Sequence, residues 1–250
     1  MRRDPYADFA QRYDSFFGPF GEHDSRKVEF FRQLFAHHRV KSVLDCACGT
    51  GRDLHMFHSL GCDVHGSDIS EAMLAQSERN LAAHHVDIPL THADFRELPF
   101  TYARDFDAVV CLSSAHLEMP NEHELARALS SMRGILRDGG ILIVTSGISD
   151  KTWRQKPRFI PEVNNNDFTR LFAIDYFDEG ARFNVVDLYH DSERKEMLLW
   201  SITYDRVYLR GDMERAIHRA GFLKESFYGS YQFEPYDVDT SDMLIAVAAN

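Results

Sequence analysis

The chain has 250 residues, 44% of them hydrophobic and 27% charged, enough for one large α/β domain with an insertion and too few for a second independent domain. Its formal net charge of −11 argues against a nucleic-acid partner, whose phosphates require a basic face, and suits a small or cationic substrate better. The opening MRRDPYADF has no apolar core of a signal peptide, and no stretch approaches the roughly 18 apolar residues of a membrane span, so a cytoplasmic protein without a membrane partner is expected.

Residues 26–38 (RKVEFFRQLFAHH) set Val28, Phe31, Leu34 and Phe35 on one helical face, and KSVLDC follows as a first strand. A tight turn and a helix lead to a second strand, CDVHGSD. Residues 71–85 are helical, DIPLTHADF reads as a third strand ending on Asp94, and DFDAVVCLS as a fourth. The helix HELARALSSMRGIL precedes a fifth, RDGGILIVTS. Such alternation predicts an α/β fold with a doubly wound, mostly parallel sheet, whose ligands sit beyond the carboxyl ends of the strands. The candidate site therefore lies in the loops at residues 46–53, 68–70, 94–96 and 112–116.

After Ser149 the alternation stops. TRLFAIDYFD, ARFNVVDLYHD and EMLLWSITYDRVYL are three strand-like runs joined by turns at Glu179-Gly180 and around Ser192, an antiparallel β insertion laid over one end of the main sheet. The helix GDMERAIHRAGF returns the chain to the core, and strands near residues 223–228 and 243–248 complete it. The expected division is an N-terminal lid and first helix (1–40), a cofactor-binding core (41–149), an insertion covering the substrate site (150–210) and completion of the sheet (211–250).

Cys46-Ala47-Cys48 lacks the two-residue spacer of a redox or zinc pair, so small buried side chains are expected there, with no disulfide and no metal. His37-His38 and His84-His85 fall in polar helical surroundings and read as solvated surface.

The turn VLDCACGTGRD, residues 43–53, decides the cofactor. A dinucleotide fingerprint G-x-G-x-x-G would need a first glycine where Ala47 stands and a third where Leu54 stands, so the nicotinamide reading is weak. About 20 residues on, at the end of the second strand, the Asp68 carboxylate can accept hydrogen bonds from both hydroxyls of a ribose. Its structural alternative is a helix N-cap before SEAML, a role that Ser70 fills better.

An acid, small residues and Gly-Thr-Gly resemble motif I of class I S-adenosylmethionine-dependent methyltransferases, whose sheet is seven-stranded, mostly parallel and Rossmann-like. FDAVVCL and LRDGGILIV match the family's fourth- and fifth-strand motifs in order and spacing. YDSFFG, DSRKVEFF, FDAVVCLSSAHL, the insertion and GSYQFEPY are similar to the glycine and sarcosine N-methyltransferases over nearly the whole chain. Amino-sugar N-methyltransferases share the YADFAQRYD-like start and the insertion.

The resemblance implies S-adenosyl-L-methionine as cofactor, leaving as S-adenosyl-L-homocysteine, and a small-molecule acceptor. It places Asp45, Ala47, Gly49, Gly51, Asp68, Ile69, Met73 and Leu112 at the cofactor. Asp94 would take the adenine amine, and Phe95 would supply an apolar wall. Arg26 corresponds to the arginine holding the cofactor's carboxylate, and Tyr13 to a tyrosine closing over the methyl-donor end. His116 and Tyr236 fall at the family's catalytic and substrate positions.

Two departures separate the chain from the glycine enzymes. The loop CLSSAHL is two residues shorter than theirs and lacks an asparagine, and Gly147 stands where an arginine clamps the glycine carboxylate. Free glycine is therefore expected to be a poor substrate unless Arg154 or Arg158 reaches back. An amine acceptor needs only its lone pair oriented, by a tyrosine, a carbonyl, Ser113 or Ser114; an oxygen acceptor would want a base such as His116. Tyr176, Tyr189, Tyr204 and Tyr208 are further pocket candidates, with alternation turning about half of them outward. N-methylation of a small amine is the leading expectation. O-methylation of a small molecule, or a non-catalytic cofactor-binding protein of the same fold, remains open, as does the oligomeric state.

Overall fold

The computed structural model describes residues 4–249, so residues 1–3 of the expected lid and the last residue of the expected closing segment lie outside the described residues. The N-terminal segment holds a one-turn helix α1 (Ala10–Tyr13), a 3-10 turn (Asp14–Phe16) and α2 (Ser25–His38). The core runs β1 (Ser42–Asp45), α3 (Arg52–Ser59), β2 (Asp63–Asp68), α4 (Glu71–Ala83), β3 (Leu90–His92), α5 (Leu98–Thr101), β4 (Phe106–Cys111), α6 (Glu122–Arg133) and β5 (Leu136–Ser146). Then come α7 (Asp150–Gln155), β6 (Phe159–Asn164), β7 (Phe168–Tyr176), β8 (Ala181–His190), β9 (Lys195–Tyr204), α8 (Arg210–Arg219), β10 (Lys224–Tyr228) and β11 (Leu244–Ala249).

The main sheet has the order β10-β11-β5-β4-β1-β2-β3, and β6-β7-β8-β9 form a second, antiparallel sheet. In the main sheet only the β10–β11 and β11–β5 pairings are antiparallel. Val43, Leu44 and residues 108–111 are buried on both faces, as continuous apolar runs in central parallel strands must be. Phe30 and Phe31 of α2 with Phe57 of α3 cover one face, and Leu129 of α6 with Ile217 of α8 cover the other. Ser70 caps α4 by accepting from the Met73 backbone N–H, as Asp24, Asn121 and Ser149 cap α2, α6 and α7.

Besides the one-turn helices α1 and α5, three elements differ from the sequence expectation. β3 stops at His92 because the Asp94 carboxylate accepts from the Arg96 backbone N–H and turns the chain. The insertion has four strands, the extra one being β6, whose Pro161 is tolerated because β6 is an edge. The short helix α7, capped by Ser149 three residues after β5 ends, has no counterpart in the sequence expectation.

The N-terminal segment is a strap across both sheets. On the core side Arg52 donates to the carbonyls of Phe17, Gly18, Pro19 and Glu22 at 2.5–3.2 Å, and Asp14 accepts from Thr50 and Asn80. On the other side Phe9 stacks on Trp200 with centroids 4.2 Å apart, and Trp200 Nε1 donates to the Pro5 carbonyl. Arg12 pairs with Asp187, which also takes Arg170 Nε and Nη2 at 2.6 and 2.8 Å. Among the described residues no helix is long and apolar enough to cross a membrane.

Candidate cofactor and substrate site

β1 delivers Asp45, fully buried, to the carboxyl edge of the sheet, where its Oδ1 accepts from the Ala47 backbone N–H at 3.2 Å. Burial, reinforced by nearby Asp53, pushes its carboxyl well above the usual range. The two glycines that follow serve different ends. Gly49 adopts φ +52° and a Cβ there would project into open space; Gly51 adopts φ +83° and a Cβ would run into the Ser77 side chain of α4. Asp68, at the end of β2, fastens this turn: Oδ2 accepts from Gly49 N at 2.8 Å and Oδ1 from Ser70 N at 2.9 Å. Burial raises its carboxyl as well.

Above the turn lies a cavity of about 580 Å³, bounded by the strap, the loops after β4 and β5, and the second sheet. A pocket of about 60 Å³ adjoins it and shares Tyr6, Tyr13, Ala47, Gly49, Leu112 and Tyr204 with it. Asp45 faces the large cavity, while Asp68, Ile69, Met73 and Phe95 line the small one. The loop after β4 is held open by two consecutive left-handed residues, Ser113 (φ +53°) and Ser114 (φ +68°), a conformation that costs about 1–3 kcal/mol per residue. Their anchors are Thr145 Oγ1, which accepts from Ser113 N, and Ser114 Oγ, which accepts from Gly147 N, both at 2.9 Å.

Five expected site residues stand elsewhere. Gly51 packs on α4 and does not line the cavity. Arg26 is two-thirds exposed and folds back on Asp24, the α2 cap, at 3.1 Å. Lys27, squarely on the face that buries Phe30 and Phe31, points inward instead and donates to both oxygens of Asp53 at 2.6 and 2.9 Å. Asp94 lines neither pocket because Arg96 occupies both of its oxygens, which holds its carboxyl below the usual range despite partial burial. His116 is sealed in the core beside Tyr208, with neither ring nitrogen hydrogen-bonded, and burial alone lowers its pKa to about 3. Tyr236 donates to Asp150 Oδ2 at 2.7 Å and accepts from Asp150 N at 2.9 Å, a structural clasp outside the cavity. His116, expected as a base, and Tyr236, expected as a substrate contact, thus line neither pocket in this structure.

Of the four tyrosines offered by the insertion, Tyr204 lines both pockets. Tyr176 donates to the Pro157 carbonyl, Tyr189 lies under Arg194 and Tyr208 donates to the Met119 carbonyl. Neither proposed replacement for the missing clamp reaches back: Arg154 pairs with Asp239 and Arg158 with Asp175. Several lining residues carried no motif. Glu118 of the small pocket accepts from the Tyr6 hydroxyl at 2.6 Å, and burial with the nearby acids Asp68, Asp4 and Asp94 raises its pKa to about 7. His23 faces the large cavity, 2.9 Å from His55, and burial beside that ring lowers its pKa to about 4. The four cysteines are free, and among the described residues no group of three or more His, Cys, Asp or Glu is placed to hold a metal.

A glycine turn opening on a cavity, an acid beyond β2 and a Phe-lined pocket fit an adenosine with an amino-acid tail. With the sheet order above, they define a Rossmann-like, nucleoside-cofactor-dependent transferase. Residues 43–140 match the family model described as a methyltransferase domain. The chain is 33% identical, over 90% of its length and 89% of the relative's, to the dTDP-3-amino-3,6-dideoxy-alpha-D-glucopyranose N,N-dimethyltransferase of Streptomyces fradiae. It is 28% identical, over 90% of its length and 82% of the relative's, to the glycine/sarcosine N-methyltransferase of Aphanothece halophytica. A solved S-adenosylmethionine-dependent methyltransferase from Clostridium acetobutylicum has the same fold, with a TM-score of 0.80 over 98% of both chains at 17% identity. The chain belongs to the S-adenosylmethionine-dependent methyltransferases, and S-adenosylmethionine is its cofactor.

Proposed function

We propose that this enzyme methylates an amine nitrogen of a small molecule held between the strap and the second sheet, with residues 150–210 covering the acceptor. The observation that carries this reading is the cavity itself, walled by Phe16, Phe172, Phe183 and Tyr204 and continuous with the glycine turn. An amine attacks through its own lone pair, so no dedicated base is required, and the one histidine expected in that role is locked in the core. The names of the relatives agree with nitrogen as the acceptor.

The cofactor supplies a methyl group already activated on a sulfonium. The chain's task is to bind, orient and exclude water, and positioning of this kind can supply about 7–11 kcal/mol of a bimolecular barrier. Asp68 would hold the ribose hydroxyls, with Ile69, Met73 and Phe95 against the adenine. Lys27 would take the carboxylate in place of Arg26. Asp45, whose buried carboxyl pairs with no cation among the described residues and is hydrogen-bonded by the Ala47 backbone N–H, would receive the ammonium. The Tyr6, Tyr13 and Tyr204 rings close the space between cofactor and acceptor, and burial raises each of their hydroxyls well above its ordinary pKa, so they act as neutral hydrogen-bonding groups.

The test is calorimetric titration with S-adenosylmethionine, followed by mass-spectrometric detection of product over matched amines, alcohols and phenols. Nitrogen methylation is expected. Preferential methylation of an alcohol or phenol would replace this reading with O-methylation, and binding without turnover on any acceptor would replace it with a non-catalytic cofactor-binding role.

A further inference from the structure

The acceptor side of the cavity is a wall of the second sheet: Ile160 and Glu162 from β6, Phe172 from β7, Phe183 from β8, Ile202 and Tyr204 from β9. Phe172 stacks on Phe16 of the strap at 5.4 Å and meets Phe183 edge-on at 5.6 Å; Phe183 in turn meets Tyr204 at 5.7 Å. Glu162 is the charged member of this wall, and it is there because of a local irregularity. Pro161 pairs with Leu171 and Val163 with Arg170, which leaves Glu162 as the extra residue of a β-bulge, a device that re-aims a side chain.

Among the described residues, the cations near this wall are engaged or sealed. Lys27 is held by Asp53 and Arg52 by four carbonyls, both on the cofactor side. Arg170 lies behind the wall at zero exposure, under the Phe16 ring at 4.3 Å and paired with Asp187. Arg154 and Arg158 are turned away to Asp239 and Asp175. An acceptor lying on the rings thus meets the Glu162 carboxylate, which Arg170 behind the wall offsets in part without forming an ion pair, and aromatic faces also favour a cation.

Taking the cavity as the amine site of the proposed function, we propose that Glu162 sets acceptor specificity. The enzyme takes amines with a flat or apolar body that carry a second cationic group toward Glu162, and it rejects those presenting a carboxylate or phosphate there. Glycine and sarcosine, named in the relatives, carry such a carboxylate.

The probes are benzylamine, 4-(aminomethyl)benzylamine and 4-(aminomethyl)benzoate, which share a ring and a reacting amine and carry at the para position a hydrogen, a cationic aminomethyl group and a carboxylate. Binding to protein saturated with S-adenosylhomocysteine is read by calorimetry, and turnover with S-adenosylmethionine is followed separately. Binding in the expected order without methyl transfer would therefore count against the proposed function while leaving the charge selection standing. The diamine is expected to bind about tenfold more tightly than benzylamine, the gain of one charge-assisted hydrogen bond at a partly exposed site, and the benzoate more weakly than either. E162Q should bring the diamine to within about twofold of benzylamine, and E162K should invert the order in favour of the benzoate. The proposal is overturned if the wild type prefers the benzoate, if E162Q weakens all three probes equally, or if none of them binds.

Discussion

Asp68 does two jobs with one carboxylate, and the variants that remove it separate them. As the expected ribose contact it contributes charge-assisted bonds to the cofactor; as the acceptor for Gly49 N and Ser70 N it also fixes the glycine turn on the start of α4. D68A should weaken S-adenosylhomocysteine binding by about 1.5–3 kcal/mol, measured calorimetrically. D68N keeps one oxygen able to accept from Gly49 and should lose less; equal affinity in all three proteins would remove Asp68 from the site. His116 gives the opposite case, a residue whose type suggests chemistry and whose position denies it. With a folded pKa near 3 against 6.5 for the free side chain, the unfolded chain binds the extra proton between those values. Its contribution to stability is therefore intact above pH 6.5, declines as pH falls and is lost below 3, costing roughly 2 kcal/mol at pH 5. H116L, which fills the core without orphaned nitrogens, should resist urea better than the wild type at pH 5, with the difference shrinking toward pH 7. Its methyl-transfer rate at neutral pH should stay within about threefold of wild type, and a loss of a hundredfold would restore the histidine to the catalytic site.

The strap is the element on which the two pockets depend, because Tyr6 and Tyr13 are its contribution to both. Its grip on the core passes largely through the Arg52 guanidinium, which satisfies four strap carbonyls that no regular structure pairs. Hydrogen exchange across residues 5–25 should slow when cofactor binds. In R52A it should be fast in the free protein and only partly restored by cofactor, with affinity falling about tenfold as the ordering cost moves onto the ligand. Exchange indifferent to both cofactor and Arg52 would show that the strap is not a lid. The glycine turn and the central strands were legible in the sequence because their signals are local: apolar runs, an acid at a strand end and a Gly-Thr-Gly turn. β6 was not, since FIPEVN has a proline and polar residues and is a strand only as an edge laid on β7. Arg26 and Lys27 show the same limit at finer grain. Motif matching selects the arginine, whereas burial of Phe30 and Phe31 turns the lysine inward and leaves the arginine to its cap. Glu118 and Glu162 carried no signal at all, because one is defined by a tyrosine 112 residues away and the other by a bulge.

At the scale of the whole molecule, the main sheet and the antiparallel sheet are separate, and Asp187 ties the antiparallel sheet to the strap that crosses both. It is fully buried, holds Arg170 of its own sheet through two bonds and takes Arg12 of the strap on one of the same oxygens. Two substitutions divide its role. D187A strands two guanidiniums, one of them wholly buried, and breaking a buried pair from one side typically costs about 3–5 kcal/mol, so the midpoint of urea unfolding should drop sharply. R12A leaves the Arg170–Asp187 pair intact and removes only the strap's arm of the network. The second sheet should then stay folded and global stability should fall by no more than about 1 kcal/mol, because Asp187 keeps both of its bonds to Arg170 and no buried charge is left unpaired. What changes in R12A is closure: Phe9 loses one of the contacts that hold it on Trp200, the strap opens more often, and bound S-adenosylhomocysteine should dissociate several-fold faster with little change in its association rate. Stopped-flow release measured beside urea unfolding separates the two effects. If R12A destabilises the fold as much as D187A, or releases the ligand at the wild-type rate, the strap is not what couples the antiparallel sheet to the cofactor.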